Sequence, residues 1–262
     1  AVEMNLSAFR WGRMAAYDME FVEKEALPYL TNIEIDYDQY NLENIVNDRI
    51  NILTNYQNKE YAKKYKDIVD KVISIEKNIG DKNQEFSKSV AKYLFKLMAY
   101  KDEYEVARLY SDGQFKEKLN SAFDGNLKIK FHLAPPLLSP RDINTGKPRK
   151  ITLGSWMLPV FSIISKFKFL RGSIIDPFGK TKERKMERYL IKQYINDLDK
   201  ILDKVNKHNL SLAIQIASIP EMIRGFGHVK EDNINNAQQN REELLERWNS
   251  KEKINIESVA AE

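Results

Sequence analysis

Apolar residues recur at intervals of three and four through most of the chain, and that spacing predicts helices. Residues 6–26 read as a first helix closed by Pro28, followed by a linker or extended crossing over 29–41. Leu42, Ile45, Val46, Ile50 and Leu53 mark a helix over 42–53. Tyr61, Tyr65, Ile68, Val72 and Ile75 mark another over 59–79, with Gly80 at its stop. Phe86, Val90, Tyr93, Leu94 and Leu97 form the inward stripe of a helix predicted over 85–110, and a shorter one is expected over 113–123.

The period then changes. In "LKIKFHLAPPLLS" apolar Leu127, Ile129, Phe131 and Leu133 alternate with basic or polar residues, which argues for a strand that ends at Pro135-Pro136. Ile151 to Leu153 is the natural return strand of a two-stranded ribbon. Helical spacing resumes over 156–170, and "RGSIIDPFGK" follows as irregular chain. Thr181 opens a strong helix to about residue 208, striped by Leu190, Tyr194, Leu198, Ile201 and Val205. Thr181 suits a simple N-cap, since Arg184 stands where a capping box needs Glu. A short apolar helix over 210–218 and an amphipathic one over 230–248 complete the pattern, with the last dozen residues expected to fray. The fold class is therefore mostly α: a helical domain with a small two-stranded β element near 127–153.

Composition narrows the function. The chain has 262 residues, enough for one large or two small domains with a sizeable core. Its 42 basic and 38 acidic residues nearly balance, which argues against nucleic acid as the partner. It has no cysteine, so a thiolate zinc site, a cysteine nucleophile and a cysteine-held iron–sulfur cluster are excluded within this chain. Three scattered histidines do not suggest a metal site. The longest apolar run, 156–164, contains Pro159 and Ser162 and falls well short of the roughly 20 residues a membrane span needs. The chain opens on Ala1 without a signal peptide, so it is expected to be processed, trimmed or cut from something longer, and cytoplasmic.

No Gly-rich phosphate loop, nucleophile elbow or His-Glu-x-x-His motif is present. The candidates that remain are basic. In "IPEMIRGFGHVKEDN" the glycines free backbone N–H groups near a helix start, where an anion is favoured, with Arg224, His228 and Lys230 alongside. The simpler and commoner reading is a helix stop at Gly225 and a restart. His132 lies on the opposite strand face from Phe131 and Leu133, to line a pocket or, more often for such a residue, to make a structural hydrogen bond. Arg141 and Arg149, with Lys147 and Lys150, sit on one turn that either meets an acidic partner or is simply solvated. Asp176 is placed to pair with Arg184 or Arg188.

Five segments in order, "VARLYSDGQF", "KFHLAPPLL", "GKPRK", "DPFGKTKERKMER" and "IPEMIRGFGHVKEDN", resemble the C-terminal region of the fused bacterial indolepyruvate ferredoxin oxidoreductases. "AVEMNLSAFRWGR" resembles the end of that enzyme's gamma-type catalytic domain. The resemblance implies a division into 1–28, the last helix of that domain, and 29–262, a mainly helical C-terminal domain. It further implies a parent enzyme that oxidatively decarboxylates aryl 2-oxo acids to acyl-CoA with reduction of ferredoxin. Thiamine diphosphate and iron–sulfur clusters would belong to the rest of that enzyme, for no thiamine-binding segment or Cys-x-x-Cys run is found here. The expectation is a non-catalytic structural or docking region. Its partners would be other domains or subunits of a homo-oligomeric parent, with ferredoxin or CoA near the interface. The rivals are a free-standing helical module that offers basic loops to an acidic partner, RNA or a membrane surface, and a small enzyme using His132, Arg224 and His228.

Overall fold

The computed structural model describes residues 2–30, 41–123, 125, 128–133 and 149–259. Two compact units divide the chain, Ala1–Asn44 and Ile45–Glu262.

The first unit carries α1 (Val2–Tyr17) and α2 (Met19–Leu30). One helix was expected here. The break falls at Asp18, whose carboxylate accepts from the Phe21 backbone N–H at 2.9 Å and so caps a new helix. Pro28 does not close it, since α2 runs on to Leu30. Phe9, Trp11, Met14 and Tyr17 are all exposed on α1.

The second unit is built around α5 (Glu85–Met98), flanked by α4 (Lys59–Ile79), α9 (Lys182–Leu202) and α10 (Leu210–Ser218). Phe86, Val90, Ala91 and Leu94 of α5 are fully buried, as the stripe requires. α3 (Leu42–Tyr56) precedes this group and α11 (His228–Val259) follows it. Buried tyrosines tie the helices by donating to backbone carbonyls: Tyr65 to Ala91 at 3.0 Å and Tyr194 to Ala217 at 2.8 Å. Glu76 of α4 is buried because it caps its neighbour. Its carboxylate accepts from the Phe86 and Ser87 N–H groups at 2.8 and 2.9 Å, where Gln84 supplies no side-chain cap.

The helix expected over 85–110 is two helices. α5 ends at Met98, and α6 (Glu103–Ser111) restarts where the Asp102 side chain accepts from the Glu105 N–H at 2.9 Å. α7 (Gln114–Ala122) follows. β1 (Phe131–Leu133) and β2 (Ile151–Leu153) pair antiparallel, Phe131 opposite Leu153 and Leu133 opposite Ile151. α8 (Met157–Lys166) passes into a 3-10 turn, Phe167–Leu170. The ribbon, α6 and α8 enclose a second core of Ala107, Phe131, Met157 and Phe161. Its rings interlock, Phe131 edge-on to Phe161 at 5.1 Å and Tyr110 stacked on Phe161 at 5.3 Å.

Several boundaries move, among them the end of α3, at Tyr56 rather than 53, and the start of β1, at Phe131 rather than 127. α9 ends at Leu202 rather than near 208, α11 begins at His228, and α11 stays helical to Val259 instead of stopping at Trp248. The Pro135-Pro136 pair and the turn carrying Arg141 lie outside the described residues.

Candidate functional site

Arg171 fixes the junction between the two cores. Its guanidinium grips Asp102 with two bonds of 2.5 and 2.9 Å, donates to the Tyr56 carbonyl at 2.6 Å and to Gln57 at 2.7 Å, and lies 3.7 Å from the Tyr56 ring centre. Asp176 holds the next turn. It accepts from the Tyr104 hydroxyl at 3.0 Å and from the N–H groups of Gly172 and Phe178 at 2.7 and 3.0 Å. Arg184 bonds Glu103 and Glu187 instead, and Arg188 donates to the Gly179 carbonyl. Asp176 therefore takes a hydroxyl and two backbone donors, not the arginine partner expected from the sequence.

This clasp positions residues 100–102 at the end of α5, beside the segment that returns from α10. There the Tyr93 hydroxyl donates to Glu221 at 2.8 Å, and the Lys96 ammonium donates to the Pro220 carbonyl at 2.7 Å. A cleft of about 300 Å³ opens between them, walled by Tyr100, Leu97 and Ile223. Four cations line it, Lys96, Lys101, Arg224 and Lys230, against one carboxylate, Glu187. Burial, helped by the nearby Arg224 charge, lowers the Lys96 pKa. Gly225 forms the turn at φ +89°, and a Cβ there would stand 2.9 Å from Val229 Cγ1 and 3.7 Å from the Lys230 nitrogen. Only glycine lets the chain turn this tightly onto the start of α11.

The structure thus gathers Arg224 and Lys230 of the predicted residues. His228 opens α11, with its side chain outside the described part of the chain. His132 is elsewhere, exposed on β1 with Nδ1 3.0 Å from the Thr152 hydroxyl opposite it, a structural hydrogen bond. Arg149 is exposed just before β2 and does not line the cleft. Arg141 lies outside the described residues. Lys96, Lys101 and Glu187 were not anticipated. Each occupies an ordinary charged position of its own segment, and only the tertiary fold collects them.

A second cleft, of about 440 Å³, runs between α6, α8 and the ribbon. Its walls are apolar, including Val106, Leu153, Trp156, Val160 and Ile164, and its rim is charged, with Lys101 and Arg184. Exposed apolar residues continue from the cleft along α8 and its two ends. Trp156, Ile163 and Phe167 fall at helical spacing and are 60, 58 and 45% exposed, and Phe169, Ile174 and Ile175 continue the exposed apolar series. Among the described residues no group of three or more His, Asp or Glu is placed to hold a metal ion. No helix among them is long and apolar enough to cross a membrane.

Neither a curated protein nor a solved structure matches the chain. A family model does match, over residues 42–243, from the start of α3 to the middle of α11 and including every residue that lines the two clefts. The chain belongs to DUF6537, a family of unknown function.

Proposed function

We propose that the chain is the C-terminal structural and docking region of a 2-oxoacid ferredoxin oxidoreductase of the indolepyruvate type. The exposed apolar series along α8 carries this reading. α8 buries Met157 and Phe161, while Ile163 and the flanking Trp156 and Phe167 stand exposed beside them; a contiguous exposed apolar series of this kind marks a contact with another body. An apolar side chain that buries about 100 Å² more in an interface contributes about 2.5 kcal/mol. A few such residues suffice for a stable contact. The five ordered segments that resemble the C-terminal region of that enzyme name the occupant: its catalytic domains, which would hold thiamine diphosphate and the iron–sulfur clusters. In this reading the chain performs no chemistry of its own and works in the cytoplasm, in a homo-oligomeric parent.

Mixed with the thiamine- and cluster-bearing part of such an enzyme, the chain is expected to co-elute with it in size-exclusion chromatography. Ile163→Asp with Phe167→Asp is expected to release it while leaving its helicity unchanged. Separate elution of the unaltered chain overturns the proposal.

A further inference from the structure

We propose that the basic cleft between the end of α5 and the start of α11 binds a phosphate or diphosphate group of a small molecule. Four observations support this, and none depends on the docking face.

The first is charge. Lys96, Lys101, Arg224 and Lys230 line the cleft with Glu187 as its one carboxylate, an excess of three positive charges, 4 − 1, in about 300 Å³. Glu187 is itself shared. It accepts from Arg184 at 2.9 Å as well as from Lys230 at 2.6 Å, so it does not use up the Lys230 charge.

The second is the state of Lys96. Its ammonium meets carbonyl oxygens, Pro220 at 2.7 Å and Glu221 at 3.3 Å, and no carboxylate. Its proton affinity is lowered by burial and by Arg224. The Glu221 carboxylate offsets this only in part, and an anion in the cleft adds the negative charge that favours the ammonium.

The third is the backbone. Gly225 and Gly227 both have left-handed φ, +89° and +58°, immediately before a helix of 32 residues. Lys230, in the first turn of that helix, lines the cleft, so the helix's positive end borders it. The fourth is the choice of cation. Arg224 donates to the Glu221 carbonyl and to one Glu221 carboxylate oxygen, both at 3.0 Å, and is 69% exposed, which leaves the Nη1 side of its planar fork for a second partner. Two or more negative charges on one compact group match this lining better than a single carboxylate does. A cleft of about 300 Å³ is of a size for a small molecule rather than a continuous backbone.

Isothermal titration of the chain with inorganic phosphate and with pyrophosphate, at about 0.15 M salt, tests the proposal. Saturable one-to-one binding of pyrophosphate is expected, tighter than phosphate. It should weaken at least tenfold in Lys96→Met and in Arg224→Ala, and stay unchanged in Lys63→Ala, an exposed lysine of α4 outside the cleft. Arg224 is exposed, so its loss reads binding and not folding. No saturable pyrophosphate binding, or equal weakening by Lys63→Ala, overturns the proposal. So does binding of single-stranded RNA or phosphatidylserine vesicles without pyrophosphate binding.

Discussion

Removing the Arg171 guanidinium tests what holds the two cores in register. Its ion pair with Asp102 is almost dry, the two side chains being 6 and 3% exposed. Arg171→Ala deletes both bonds to Asp102, the bonds to Tyr56 and Gln57, and the contact with the Tyr56 ring. What it leaves matters more: a buried carboxylate with no counter-charge. Breaking such a pair from one side costs about 3–5 kcal/mol, against a total stability of about 5–15 kcal/mol for a domain. Asp102→Asn is milder in one respect, because asparagine still caps α6 through the Glu105 N–H. Combining Asp102→Asn with Arg171→Met removes both charges, and the double variant should be less destabilised than the sum of the single changes by about 2 kcal/mol. Urea unfolding followed by circular dichroism and by tryptophan fluorescence measures each value. A loss below about 1 kcal/mol for Arg171→Ala, or strict additivity in the cycle, would refute the reasoning.

Glu76→Ala should lower stability by about 2–3 kcal/mol in the same assay, since it orphans two buried N–H groups at the start of α5; Glu76→Gln, which keeps an acceptor oxygen, should lose less. Gly225→Ala meets Val229 and a left-handed φ at once, so it should cost about 1–3 kcal/mol and weaken pyrophosphate binding with it. Burial raises the hydroxyl pKa of Tyr56, Tyr65, Tyr104 and Tyr194. Their folded-state values lie above the unfolded value, so the stability they contribute is complete below about pH 10 and is lost as pH rises beyond it. Each un-ionised tyrosine withdraws up to about 1.4 kcal/mol per pH unit there. The buried share of the tyrosinate absorbance should therefore appear in one cooperative step with loss of helicity; ionisation of all 13 tyrosines in a still-folded chain would contradict the burial argument.

Much of the fold was legible because a helix that packs on one side must repeat its apolar residues every three or four positions. α4 and α10 begin and end where their stripes do. The break between α5 and α6 was not legible, because Leu97, Met98, Tyr100 and Tyr104 keep helical spacing through it and are all buried. What breaks the helix there is Asp102, which caps α6 locally and meets Arg171 from 69 residues away, and only the second partner marks it as more than another acid. The basic cleft was half legible for the same reason. Arg224 and Lys230 stand close together in sequence around two glycines, a local signal. Lys96, Lys101 and Glu187 carry no such signal. A lysine on a helix reads the same whether its ammonium meets water or, as at Lys96, two carbonyl oxygens in a positive cleft. Sequence periodicity reports which face of an element is dry. It does not report which charged residues on separate wet faces the tertiary fold brings together, and in this chain the convergence of Lys96, Lys101, Arg224 and Lys230 is what marks the proposed site.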